Sequence, residues 1–281
     1  FAEKGMAQTV QALCDEIRHL YLWDEVPWVV GYSGGKDSTA ILQLVWLAIS
    51  KLPSEQRKKP IHVISTDTLV EQPVVAAWVD ASHEKMRNAA EKQELPIIPH
   101  KLTPVVKDSF WVNLIGKGYP APRKKFRWCT ERMKINPSNK FIRDVVRDSG
   151  EALLVLGTRK AESQRRSVTM EKHEQLANKR NLRTENRKLS PNASLPNSLI
   201  FTPIEDWTDD DVWLFLMQVK NPWGHTNKSL LGMYQGASAD GECPLVVDST
   251  TPSCGDSRFG CWVCTVVDKD RSMEAMIKND E

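Results

Sequence analysis

Hydrophobic positions along the 281-residue chain switch repeatedly between helical and strand-like spacing. From Ala7 to Leu22 the apolar residues recur at helical intervals, and Trp28-Val29-Val30 then forms a short continuous apolar run, as a strand buried on both faces requires. Helical spacing returns from Asp37 to Ser50. Polar Ser54 to Lys59 separates it from a second run, Ile61-His62-Val63-Ile64-Ser65, which ends at Thr66-Asp67-Thr68 and leads into a helix from Gln72 to Gln93. Pro96 to Leu102 reads as a third strand and Ala152 to Gly157 as a fourth, while Ile200 to Ile204 and a helix opening at Thr208 resume order later. Strands alternating with helices predict an α/β fold with a doubly wound parallel sheet. Ligands of such sheets lie at the carboxyl ends of the strands, where Ser33, Asp67 and Gly157-Thr158-Arg159 all emerge. Between residues 160 and 198 periodicity fades and polarity rises, which predicts a long polar loop or lid. The expected division is a large domain over 1–205 and a smaller C-terminal region over 206–281.

Composition narrows the class. Hydrophobic residues at 41% and charged residues at 26% are ordinary for a soluble globular protein, and no apolar run approaches the roughly 18 residues of a membrane span. A net charge of +2 does not mark the whole chain as a nucleic-acid binder, but the charge is unevenly placed. Arg123-Lys124-Lys125-Phe126-Arg127-Trp128 interleaves cations with aromatics, and Thr158 to Lys188 carries ten Lys or Arg against four Glu. Such patches suit a DNA backbone held without sequence reading, or a solvated face. Six cysteines without a signal-like leader are expected of a reducing compartment, with the cytoplasm as default. The start at Phe1 and the polar end at Glu281 are expected of a partial view of a longer chain.

The richest stretch is Ser33-Gly34-Gly35-Lys36-Asp37-Ser38, set between the first strand and its helix, where backbone N–H groups converge on an anion. A Walker loop needs four residues between its first glycine and the Gly-Lys pair, followed by Ser or Thr for magnesium. Here three residues follow Gly31, and Asp37 replaces the hydroxyl, so cleavage at the γ-phosphate is not expected. The hexapeptide resembles the PP-loop of the ATP pyrophosphatase superfamily, whose members hold the released pyrophosphate. On that reading the amides near Gly34 and Gly35, the hydroxyls of Ser33, Ser38 and Thr39 and the Lys36 ammonium face the departing pyrophosphate. Asp37 orients the loop, binds magnesium or complements the helix dipole. Asp67 contacts nucleotide or metal, or caps the next helix. Arg159 and Arg166 hold phosphates by bidentate forks, with Gly157 beside them, and Lys160 and Arg165 are weaker candidates. Lys36, Asp37 and Arg159 form the expected catalytic set.

Cys254, Cys261 and Cys264 place three thiols within eleven residues, and Cys129 and Cys243 stand apart as further ligand candidates. Four thiolates suit zinc or an iron–sulfur cluster, and spacing does not choose between them; a redox disulfide at Cys261 and Cys264 is a third option. Cys243 precedes Pro244 and an apolar run, as a structural thiol or a persulfide carrier would. Cys14 falls on an apolar helix face as core filler, and Trp207 is expected in the core.

With the PP-loop, Arg127 to Lys134, Leu156 to Ser163 and the terminal Cys-x-x-Cys in this order, the chain resembles the PAPS reductase family, and within it the DndC proteins of bacterial DNA phosphorothioation. The resemblance implies an adenine nucleotide alpha hydrolase type of sheet, ATP pyrophosphatase activity with magnesium, and a C-terminal 4Fe-4S cluster rather than zinc. Cys129, Cys254, Cys261 and Cys264 are its implied ligands. It further implies sulfur replacing a non-bridging oxygen of the DNA backbone, with a cysteine desulfurase as sulfur donor and DndD and DndE family proteins as partners. Sulfonucleotide reductases are the near rival, but they carry tandem cysteines where this chain has Cys129-Thr130, and a C-terminal Glu-Cys-Gly nucleophile that is absent here. A non-catalytic iron–sulfur module for redox sensing or scaffolding is the rival of a different class, and an intact PP-loop argues against it.

Overall fold

A computed structural model of the chain describes residues 1, 4–123, 125–162, 164–179, 183–184, 187–192, 194–237, 259–266 and 269–279. Helix α1 (Met6–Trp23) packs on α2 (Lys36–Ser50), which follows strand β1 (Trp28–Gly31). Trp28, Val29 and Val30 are all fully buried, as the continuous apolar run requires. So is most of α2, apolar on nearly every side and sunk in the core. β2 (Ile61–Thr66), α3 (Pro73–Lys92) and β3 (Ile97–Leu102) follow in the order read from the sequence.

Between β3 and β4 (Ala152–Val155) the chain forms helical segments that the sequence reading left unassigned. They include short turns at Val106–Asp108 and Val112–Gly116, α4 (Trp128–Thr130), a π-helical turn at Glu131–Ile135 and α5 (Asn136–Ser149), whose Phe141, Ile142, Val145 and Val146 recur at helical spacing. Residues 160–198 correct the expectation of a loop or lid. They contain α6 (Gln164–Lys179) and the antiparallel strands β5 (Arg183–Thr184) and β6 (Arg187–Pro191), and β6 pairs antiparallel with β7 (Ser198–Phe201). The α6 sequence is rich in intrinsic helix formers, Gln, Arg, Met, Glu and Lys, without an apolar stripe, so propensity rather than pattern carries it. α7 (Asp209–Gln218), α8 (Asn227–Gly236) and α9 (Arg271–Asn279) complete the described elements.

The sheet order is β3-β2-β1-β4-β7-β6-β5, with β3, β2, β1, β4 and β7 parallel. The order reverses direction between β1 and β4, and a crevice opens at such a switch point outside the strand ends. The main core runs without a break past residue 205. Trp207, Val212, Trp213, Phe215, Trp223, Leu230 and Tyr234 belong to the same buried cluster as α1, α2 and β1.

Candidate active site

The turn from β1 into α2 forms the floor of a cleft of about 890 Å³ at the switch point. Gly34 adopts φ +78°, and a Cβ there would sit 2.7 Å from Val79 Cγ2 and 3.1 Å from Trp78 Cδ1, so no other residue fits. The Trp78 indole donates to the Gly34 carbonyl at 3.1 Å. Inside the loop the Ser33 amide donates to Ser38 Oγ at 3.2 Å, Ser38 Oγ donates to the Gly35 carbonyl at 3.0 Å, and the two serine hydroxyls lie 3.1 Å apart. From α8, the Tyr234 hydroxyl accepts from the Lys36 amide at 3.2 Å. Gly157 closes the floor, since a Cβ on it would lie 2.8 Å from the Asp37 carbonyl oxygen. The end of β4 is thus seated directly on the first turn of α2.

Behind the loop lies a square of two cations and two anions. Lys36 Nζ is 3.1 Å from Asp209 Oδ1 and 3.5 Å from Asp37 Oδ2. Arg159 donates from Nε to Asp37 Oδ1 at 2.7 Å, from Nη2 to Asp209 Oδ1 at 2.5 Å and from Nη1 to the Trp207 carbonyl at 3.0 Å. Asp209 opens α7 directly after its N-cap Thr208, which forms a capping box with Asp211. Burial opposes ionisation of Asp209, but Lys36 and Arg159 outweigh it and hold the carboxyl below its usual range. The square fixes Asp37 at the head of α2 and holds Lys36, itself buried, in the lining of the cleft.

On the opposite side Asp67 follows β2. Its Oδ1 accepts from the Leu69 amide at 2.8 Å, its Oδ2 pairs with Lys101 at 3.0 Å, and Lys101 pairs also with Asp80 at 2.8 Å. The helix that follows has Gln72 as N-cap, so Asp67 stays on the cleft wall and does not cap α3. Asp37, Asp67, Glu71, Asp80 and Glu162 line the cleft against Lys36, Lys101 and Lys134, an excess of two acids.

The cleft adjoins a wall of thiols. Lys134 lines the cleft and pairs with Glu71 at 3.0 Å, and the Glu71 backbone forms an antiparallel bridge with Cys261. Thr68 Oγ1 lies 3.0 Å from Glu71 Oε1 and 3.6 Å from Cys261 Sγ. Cys129 and Cys261 pack against the buried cluster of Val70, Phe110, Trp128 and Met133, and the Cys264 amide donates to the Cys261 carbonyl at 3.0 Å. Burial pushes the Cys261 thiol up, and the Glu71 carboxylate adds to it. Among the described residues no three of His, Cys, Asp and Glu gather tightly enough to hold a metal ion.

The phosphoadenosine phosphosulfate reductase domain model matches residues 27–225, which is more than two thirds of the chain. The chain belongs to this family. A curated relative of the PAPS reductase-domain chain is an uncharacterized protein of Methanocaldococcus jannaschii, 28% identical over 207 residues; the alignment covers 74% of this chain and 35% of that protein, so the chain spans about a third of its relative's length. Among solved structures, the PAPS reductase of Candida auris in its phosphate complex overlaps with a TM-score of 0.42 at 13% identity, covering 78% of this chain and 87% of that one. The U34-tRNA thiolase NcsA of Methanococcus maripaludis with its [4Fe-4S] cluster gives 0.44 at 13%, covering 98% and 71%. FMN adenylyltransferase of Candida glabrata gives 0.42 at 12%, covering 98% and 80%. None of the three is close enough to carry a substrate over to this PAPS reductase-family member.

Of the residues singled out in the sequence, Ser33, Gly34, Gly35, Lys36, Asp37, Ser38, Asp67 and Gly157 all line one cleft in this family member. Thr39 is buried one position behind them. Arg159, expected to hold a phosphate, is 1% exposed, and its guanidinium holds Asp37, Asp209 and the Trp207 carbonyl. Lys160 likewise pairs with Glu174 and Asp206. Arg166 and Arg165 fall on α6 with side chains outside the described residues, as do Cys243, Cys254 and Lys124 altogether. Cys14 is buried 4.0 Å from the Leu44 carbonyl, in the core as expected. The sequence reading missed Asp209 and Tyr234. Three consecutive aspartates after Thr208 were visible as a helix start, but nothing in the sequence shows that the first one reaches back to Lys36.

Proposed function

We propose that this chain cleaves ATP between the α- and β-phosphates and uses the adenylate to place sulfur on the DNA backbone. The observation that carries the reading is the loop of Ser33 to Ser38, which lines the switch-point cleft with the thiol wall next to it. ATP enters with its phosphates over the first turn of α2, where backbone amides and the helix dipole receive negative charge. The excess of two acids in the cleft favours ATP with a divalent cation over the bare anion, and magnesium supplies charge neutralisation when bound. Asp67, on the cleft wall and paired with Lys101, would hold such an ion, whereas Asp37 is paired with the two cations Arg159 and Lys36.

A non-bridging oxygen of a DNA phosphate attacks the α-phosphorus, and pyrophosphate leaves toward Lys36 and the loop amides. The new P–O bond turns that oxygen into part of AMP, a good leaving group. Sulfur at the sulfide oxidation level then attacks the DNA phosphorus, the P–S bond forms and AMP departs with the oxygen. Lys134, between cleft and thiols, neutralises charge on the phosphorus-bound oxygens as this happens. Cys129, Cys261 and Cys264 lie on the side from which the sulfur arrives, and with Cys254 they would hold a 4Fe-4S cluster that supports sulfur delivery. A cysteine desulfurase supplies the sulfur as a persulfide, a thiol reductant furnishes the two electrons that bring it to the sulfide level, and DndD- and DndE-type proteins complete the assembly. Incubating the anaerobic protein with DNA, ATP and these partners, then digesting with nucleases, tests the reading. Nuclease-resistant dinucleotides containing sulfur are expected. Sulfite released from an activated sulfate, with unmodified DNA, would instead assign the chain to sulfonucleotide reduction.

A further inference from the structure

A line of rings runs from the thiol wall to the surface. Trp128, the residue before Cys129, stacks on Phe110 with centroids 5.6 Å apart, and Phe110 meets Trp111 edge-on at 5.1 Å. Trp111 lies 6.1 Å from Trp262, which stands between Cys261 and Cys264 in the chain. The inner rings, Trp128 and Phe110, are buried at 6% and 4% exposure; the outer two, Trp111 and Trp262, are 45% and 53% exposed. Adjacent half-exposed indoles mark a recognition surface, because their apolar area gains most when covered. The segment that carries Trp262 is anchored: its amide donates to the Val70 carbonyl at 3.1 Å, and Thr265 Oγ1 donates to the Pro122 carbonyl at 2.8 Å. The two rings tilt by 49°, so neither covers the other's face.

Exposed charge on the stretch of chain that carries Trp111 and Trp128 is mostly of one sign. Lys107, Lys117, Arg123, Lys125 and Arg127 are exposed on the neighbouring segments, while Asp108 turns to Arg132 and leaves only Glu131 as an exposed acid from 105 to 132. Flat apolar faces rimmed by cations match a strand in which bases and phosphates alternate, and that complementarity selects nucleic acid over an apolar protein segment.

We infer that Trp111 and Trp262 form a stacking platform for an unpaired nucleobase, which fixes the adjoining phosphate beside the thiols. The inference rests on DNA being the acceptor and adds to it that the strand is read with one base out of its stack. Unstacking costs a few kcal/mol in a duplex and little in a single strand, so the platform favours strands whose bases are already free.

The test is fluorescence anisotropy of the whole chain with three labelled DNAs: single-stranded, fully paired, and paired with one extrahelical base. Each is run against wild type, Trp111→Ala, Trp262→Ala and Trp111→Phe, with melting temperature checked for every variant. The alanine variants are expected to weaken binding of the single-stranded and extrahelical-base DNAs by roughly tenfold or more, with little effect on the paired DNA and most affinity kept by Trp111→Phe. Folded alanine variants that bind each of the three DNAs as tightly as wild type does would overturn the platform while leaving DNA as the acceptor, and the patch would then be a protein-docking face. Wild type that binds no DNA at low salt would remove the acceptor reading itself, and the platform with it.

Discussion

At the turn from β1 to α2, polar groups are tied to one another from four elements: Ser33 to Ser38, Lys36 to Asp209 and Tyr234, Asp37 to Arg159. The thiol wall is tied by a different kind of contact. Among the described residues its links are mostly backbone ones, the Glu71–Cys261 bridge and the Trp262 and Cys264 amides donating to the Val70 and Cys261 carbonyls, with Thr68 Oγ1 3.6 Å from the Cys261 sulfur, and the outer rings stand half in water. On the proposed function the contrast separates two tasks. Stabilising a departing pyrophosphate needs charges fixed before the reaction, whereas admitting a polymer and a sulfur donor needs open surface.

The comparison can be broken most sharply at the thiols. Replacing Cys129, Cys254, Cys261 or Cys264 by Ser is expected to abolish the iron and acid-labile sulfide of anaerobic protein, about four of each per chain, while Cys14→Ser keeps them. Stoichiometric zinc in protein made with ample iron would show a purely structural wall. On the nucleotide side, Lys36→Ala is expected to slow pyrophosphate release by roughly 10² or more, the effect of deleting one preorganised donor. Turnover near wild type would reduce the loop to architecture.

Next in size is the square behind the loop. Arg159→Met leaves Asp37 and Asp209 with Lys36 as the one cation they share in the square, and a loss of about 3 kcal/mol in denaturant unfolding is expected. A loss below about 0.5 kcal/mol would mean that water replaces the guanidinium without strain. A comparable effect concerns pH. His83 is 2% exposed, its Nε2 lies 2.8 Å from Ser65 Oγ, and burial, with Arg87 second, lowers its pKa to about 4 from 6.5. The unfolded chain therefore takes up this proton first. Stability is complete above pH 6.5 and falls by about 1.4 kcal/mol per unit between pH 6.5 and 4. His83→Gln should flatten that slope, and an unchanged slope would place the acid sensitivity elsewhere.

What was legible in the sequence follows the same division. β1 to β4 and α1 to α3 were readable because their apolar spacing is imposed by burial on one or both faces. Thr208 was readable as a cap because capping is local chemistry. α6 and the β5–β6 pair were not, since polar sequence forms them without an apolar stripe. The PP-loop could be found by its spacing, but the partners that set its charges could not. Asp209 and Tyr234 meet Lys36 across 173 and 198 positions of chain, and only the packing of α7 and α8 on the core brings them there. Arg159 was readable at the end of β4, but its pairing with Asp37 and Asp209 was not, because a sequence does not show which carboxylates pack beside it.

The central claim is the bond that is cut, and product analysis of ATP turnover by the anaerobic protein, with and without DNA, tests it directly. AMP and pyrophosphate are expected, with pyrophosphate release rising when DNA is present as acceptor. ADP and orthophosphate as the main products would contradict the account.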